Sequence, residues 1–160
     1  MIYTWEINYE NKALNLVDFI RLVNKIDDMW SISNITLENR YGDALSSPDL
    51  TENIICFNGS RTFFEHHESF KIQRVWNKDG LPLDINKQHE LESFDCITGY
   101  GQCDTGNKPY DIVVAATLLM FKHHFPEKVK LYPEEINDHW IRGYDLAQQV
   151  CPLEALETLL

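Results

Sequence analysis

Three groups of residues carry side chains that could do chemistry. The first is His66-His67-Glu68, inside FFEHHESFKIQRVW. Read as a strand, this segment places Phe64, His66, Glu68, Phe70, Ile72, Arg74 and Trp76 on one side and His67 on the other. Glu68 then lies among apolar neighbours, and a carboxylate taken out of water needs a partner. Arg74, on the same face, would supply it as a structural ion pair. The same placement suits a general base or a metal ligand, because perturbed groups in clefts are often functional.

The second group lies in GYGQCDTGNKPYD, residues 99–111. Gly101 and Gly106 have the spacing of the phosphate-binding loop G-x-x-x-x-G-K-[ST], whose backbone N–H groups and lysine hold phosphate and whose hydroxyl holds magnesium. The match ends there. Asn107 intervenes before Lys108, Pro109 stands where the hydroxyl is needed, and Asp104 and Asp111 bring negative charge to the phosphate position. A connection that launches a helix explains the same residues better. Proline suits the first helical position, and Asp111 complements the helix dipole. Cys103 precedes that helix, which favours its thiolate, while neighbouring Asp104 disfavours it. Paired with His66, it is a conceivable nucleophile.

His123-His124 is the third group. Adjacent helical residues point about 100° apart, so the two do not form the i,i+4 pair of zinc helices. With Lys122 they read as a cap at the negative end of a helix. Four cysteines, at positions 56, 96, 103 and 151, include no C-x-x-C pair. A zinc site built from His66, His124 and Cys96 has no local support, so the sequence calls for no metal and no cofactor. No G-x-S-x-G or readable triad is present, so no catalytic residue is assigned. The remaining cleft candidate joins Glu68, as base or anchor, to Asp104, Lys108 and Asp111 as orienting groups.

The elements that must position these residues follow from hydrophobic periodicity. IYTWEINY alternates, with Tyr3, Trp5, Ile7 and Tyr9 on one face of a strand. Leu16, Phe19, Ile20, Val23, Ile26 and Trp30 recur at helical spacing, with Asn15 as cap. Strands are expected near Ile35–Leu37, over NIICFNGS ending at an Asn58-Gly59 turn, over 64–76, over FDCITGY and around EKVKLY. The stretches 42–51 and 77–93 read as turn and loop. Ile112–Phe121 is apolar nearly all round, which predicts a helix buried on most sides. A last helix starts near Asp138, with Trp140, Tyr144 and Ala147 on one side. The fold class is α+β: a mostly antiparallel or mixed sheet of about five or six strands around a buried helix (about 109–124), with amphipathic helices at about 15–30 and 138–150.

A chain of 160 residues suits one domain, 1–160, with an ordinary core. The formal charge is −11; the first eighty residues contribute −4 (12 acids, 8 bases) and the last eighty −7 (13 acids, 6 bases). Such a field repels nucleic acid and anionic membrane and speeds encounter with basic partners. It also serves solubility alone. The start of the chain has no basic and apolar leader pattern, and no apolar run approaches the ~20 residues of a membrane span. A cytoplasmic protein with reduced thiols is expected.

The runs CFNGS, HESF and GNKPYDIVVAATL, followed by a tryptophan-containing acidic segment, resemble an uncharacterised family of small bacterial and phage-associated proteins. The resemblance covers roughly residues 54–145, and its K-P-Y-D helix start is the most specific part. It implies a cytoplasmic single-domain protein, no known activity and no catalytic residue. Together these readings favour a non-enzymatic protein-binding module, an inhibitor or immunity-type partner of a basic protein. The alternative is a small enzyme or ligand-binding domain with a cleft near Glu68 and the 99–111 loop.

Overall fold

The computed structural model describes residues 1–39, 46–76 and 96–160. The chain opens with β1 (Ile2–Glu10), in which Tyr3, Trp5, Ile7 and Tyr9 are buried and the residues between them are not. α1 (Leu16–Ser33) follows, its first turn closed by the Asn15 side chain accepting from the Asp18 N–H at 3.0 Å. Its buried stripe is Phe19, Leu22, Val23, Ile26 and Met29. Leu16 and Ile20, expected in the core, are exposed, because the i, i+3, i+4, i+7 set that meets the core starts at Phe19.

Four short strands come next: β2 (Leu37–Glu38), β3 (Asp49–Leu50), β4 (Ile54–Gly59) and β5 (Phe70–Gln73). β6 (Cys96–Asp104), α2 (Asp111–His124), β7 (Val129–Leu131), α3 (Asp138–Gln148) and α4 (Leu156–Leu159) complete the order. The class is α+β, and every ladder among the described residues is antiparallel. The described strands number seven and form two sheets. In one, β1 is central between β6 and β7. In the other, β4 pairs with β2, β3 and β5; β3 and β5 share its residues Ile55 and Cys56, so they occupy opposite edges. Trp5 of β1 and Phe57 of β4 both stack on Phe70 of β5, with centroids 5.2 and 5.0 Å away, which joins the two sheets through one aromatic cluster.

Three expectations are corrected. The strand at 64–76 exists only at Phe70–Gln73; Arg61–Phe64 is a turn. The chain does not turn at Asn58-Gly59, which is the end of β4, but three residues later. The glycine-rich stretch is not a loop: Gly99 and Gly101 lie inside β6. Gly101 sits opposite Trp5 in the register, and the indole covers it so closely that a Cβ would fall 2.1 Å from the ring. Space for tryptophan, not room for phosphate, accounts for that glycine. The turn and loop segments expected within 40–45 and 77–95 lie outside the described residues.

α2 is sealed as its composition requires. Val113 through Phe121 are all buried, and the helix packs on α1, α3 and β7. Burying Leu118 or Leu119 contributes about 1.5–3 kcal/mol each. Ala115 lets α3 approach closely at Gly143, where a Cβ would lie 2.4 Å from the Ala115 Cβ. Lys122, His123 and His124 occupy the last turn, as expected for a cationic cap. Among the described residues, no helix is long and apolar enough to cross a membrane.

Candidate functional site

The connection from β6 to α2 is held by its own backbone. The Thr105 N–H donates to the Met1 carbonyl at 2.9 Å, Lys108 N–H to Thr105 at 3.0 Å and Asp111 N–H to Lys108 at 2.9 Å. Gly106 and Asn107 both take positive φ, and the Asp104 carboxylate accepts from the Gly106 N–H at 2.9 Å, as short polar residues do in turns.

Asp111 begins α2 with a buried carboxylate. Its Oδ2 accepts from the Tyr3 hydroxyl at 3.0 Å and from His139 Nδ1 at 2.6 Å. Its Oδ1 accepts from the Thr105 hydroxyl. One anion thus ties β1, the loop, α2 and α3 together, and the positive end of α2 favours its charge. His139 was not singled out from the sequence, because an acid and a histidine 28 positions apart form no local pattern. With Nδ1–H engaged by a carboxylate, Nε2 is the atom left to accept a proton, which is the layout of a general base. No side chain among the described residues hydrogen-bonds that Nε2. Asp111→Asn keeps the volume but puts amide donors among three donors. It is expected to cost about 2 kcal/mol, read as a lower denaturant midpoint, in keeping with the penalty for unpaired buried polar groups.

The four residues of the sequence-derived cleft divide. Glu68 and Asp104 meet: the Glu68 carboxylate accepts from the Asp104 N–H at 2.7 Å, and the Glu68 N–H donates to the Asp104 carbonyl at 3.2 Å. Asp111 turns its carboxylate to Tyr3, Thr105 and His139 instead. Lys108 joins the loop through its backbone and forms no ion pair with Glu68. Arg74 does not pair with Glu68 either; it binds the Asn53 side chain at 2.9 Å and the Glu52 carbonyl at 3.0 Å. The reason is that residues 64–69 are not a strand, so the shared face does not exist. Two clefts, of about 480 and 270 Å³, are lined by other residues than these four.

The cysteine option is also corrected. Cys103 is fully buried, and burial first, then the Glu68 charge, pushes its thiol up to about 12. It donates to the Glu68 carbonyl at 3.6 Å and is no nucleophile. His66 has a buried Nδ1 with no partner among the described residues. His67 lies apart from it, donating Nδ1–H to the Asp104 carbonyl at 2.8 Å.

No family model, curated protein or solved structure matches this chain.

The turn after β4 carries a feature of a different kind. Phe63 and Phe64 are 66% and 80% exposed. Phe64 holds φ at 57°, a conformation that bulky residues rarely adopt. The turn is fixed from beneath by Glu38, a buried carboxylate that accepts from the Ser60 hydroxyl at 3.1 Å and the Arg61 N–H at 2.9 Å. Glu65 N–H returns to the Ser60 carbonyl at 2.8 Å, and Phe64 N–H to Arg61 at 3.2 Å. The cleft of about 270 Å³ adjoins it, lined by Trp30, Leu37, Glu38, Ser60 and Phe63 among others. Sequence reading missed this turn because FFEHHESF alternates like a strand. The turn itself is Arg61–Phe64, which begins three residues after Asn58, where the sequence suggested one.

Proposed function

We propose that this chain is a protein-binding module that offers Phe63 and Phe64 as anchors to a partner with an apolar pocket and a basic surround. The single observation that carries this reading is two adjacent, solvent-facing phenylalanines on a turn tied to a buried carboxylate. Exposed aromatics that enter a partner's pocket dominate binding energy, and a turn already held in place loses little entropy on association. The strained φ of Phe64 persists only because its surroundings impose it, a condition that gathers at functional positions. The net charge of −11 supplies the second component, drawing a basic partner at long range. An inhibitor or immunity-type partner of a basic protein is the finer form of the same reading.

The test separates binding from folding. Phe64→Gly relieves a left-handed side-chain strain and is expected to raise stability by about 0.5–1 kcal/mol, the balance of lost strain against glycine's entropy. The same variant, and Phe63→Ala, should weaken capture of the partner by at least about 30-fold, the size of a hot-spot truncation. Capture should also weaken with added salt. Partner capture unchanged by both substitutions overturns the proposal.

A further inference from the structure

His123, His124 and Cys151 come together at the far end of α2 from Asp111. Each offers one ligand atom, and the three atoms lie within 4.8 Å of one another. The sequence separates the cysteine from the histidines by more than two dozen positions, and the fold closes that gap by bringing the α3–α4 connection over the last turn of α2. The Cys151 N–H donates to the Ala147 carbonyl at 2.9 Å. Beyond it, the connection is pinned by Leu153 N–H to the Gln148 side chain at 3.0 Å and by the Tyr144 hydroxyl to the Glu154 carbonyl at 3.0 Å.

The two rings are oriented by groups that can only accept. His124 Nδ1 lies 2.8 Å from the Met120 carbonyl, and His123 Nδ1 lies 2.7 Å from the Glu154 carboxylate. Each Nδ1 must then carry the proton, and each Nε2 is left with its lone pair. A carbonyl or carboxylate behind the ligating histidine is the usual support of protein-bound zinc, fixing the tautomer and raising ligand basicity. The location adds to this, since the C-terminal end of a helix favours a cation. Burial comes first among the opposing effects, lowering the His124 imidazole and raising the Cys151 thiol; Lys25 also disfavours a cation, while Asp18 and Glu154 offset it.

We infer that His123, His124 and Cys151 form a binding site for a borderline-soft divalent cation, zinc(II) in the first instance. Two imidazoles and a thiolate are a ligand set for zinc and leave one of its four positions to water. On binding, the Cys151 S–H bond breaks, its proton goes to solvent and the thiolate sulfur bonds the metal. Tetrahedral zinc holds such ligand atoms about 3.3–3.6 Å apart, so the present cluster needs to contract by about 1 Å. The imidazole rings, half-buried at the end of their helix, have that freedom.

Cobalt(II), added to the full chain freed of metal by chelation, is the probe. One equivalent should give thiolate-to-cobalt charge-transfer absorption with the visible bands of tetrahedral cobalt, and zinc(II) should displace it. Cys151→Ser should abolish the charge-transfer band. His123→Asn and His124→Asn each keep an N–H donor at the place of Nδ1 but remove Nε2. They should weaken binding by at least about 100-fold, beyond the 10–100-fold expected for Glu154→Gln, which alters only the support. His66→Asn should change nothing. No stoichiometric binding by the wild-type chain overturns the assignment. So does a charge-transfer band that survives Cys151→Ser, or affinity unchanged in the His124→Asn variant, which retains the Met120 hydrogen bond and so reports even where the serine variant fails to fold.

Discussion

Gly59→Ala is expected to destabilise the fold by about 3 kcal/mol, at the upper end of overpacking costs, and to disorganise the Phe63–Phe64 turn. A Cβ at this position falls 1.9 Å from the Glu65 carbonyl oxygen, 2.7 Å from its carbon and 2.7 Å from the Tyr110 ring. The obstacle is backbone, so no side-chain rotation relieves it. The Glu65 peptide cannot shift without stretching the Glu65 N–H to Ser60 hydrogen bond that closes the turn. Tyr110 cannot retreat freely either, since its hydroxyl donates to the Glu68 carbonyl at 2.6 Å. A loss of this size in a chain of 160 residues corresponds to a fall in Tm of about 6–12 °C. Partner capture should fall with it, and by more than in Phe63→Ala, because both anchors lose their placement. A thermal midpoint equal to that of the natural chain would show that the turn does not lie where it is described.

How much of this was legible in the sequence depends on how local the cause is. The buried strand face at Tyr3, Trp5, Ile7 and Tyr9 and the sealed helix after Pro109 follow from period and composition, and both are found. The cap at Asn15 needs only a side chain three residues from the N–H group it binds; the matching cap at Asn137 is found in the structure alone. The Asp111 carboxylate was legible as a residue near a helix start. Its partners Tyr3 and His139 were not, because they arrive from elements more than 100 and nearly 30 positions away. The strand expected at 64–76 failed for an instructive reason. Alternation is satisfied by Phe64, His66 and Glu68 on paper, but Glu68 finds the Asp104 N–H and Ser60 finds Glu38, and those tertiary bonds hold the segment in a turn. Glu38 itself, a charged residue in a two-residue strand, gave no sign that it would be buried beneath an aromatic pair. Glycines misled in the same way: Gly101 looks like loop chemistry until Trp5 is placed on top of it.

Raising the pH from 9 to 11 is expected to remove several kcal/mol of the protein's stability. Tyr3, Tyr9 and Tyr110 are buried, and burial, reinforced at Tyr3 by the Asp111 charge, pushes each phenol well above its ordinary range. The hydrogen bonds explain why ionisation is resisted. Tyr3 donates to the Asp111 carboxylate, Tyr9 to the Gln73 carbonyl at 2.7 Å and Tyr110 to the Glu68 carbonyl. A phenolate would face an oxygen in every case. Cys103, raised to about 12, belongs to the same set. The folded pKa exceeds the unfolded value for all four groups, so their contribution is fully present below about pH 9. It drains away as pH climbs above the unfolded values of roughly 9 for the thiol and 10 for the phenols. At pH 11 the three tyrosines together forfeit about 4 kcal/mol and Cys103 roughly 3 kcal/mol more, against a total stability on the order of 5–15 kcal/mol. Guanidinium unfolding at pH 8, 9.5, 10.5 and 11 measures the fall. Tyr9→Phe removes one titrating group, and its stability should decline less steeply above pH 10, by about 1.4 kcal/mol per pH unit. Stability that stays level from pH 9 to 11 would mean that these hydroxyls are open to water, and with them the inner face of β1 from which the rest of the core is built.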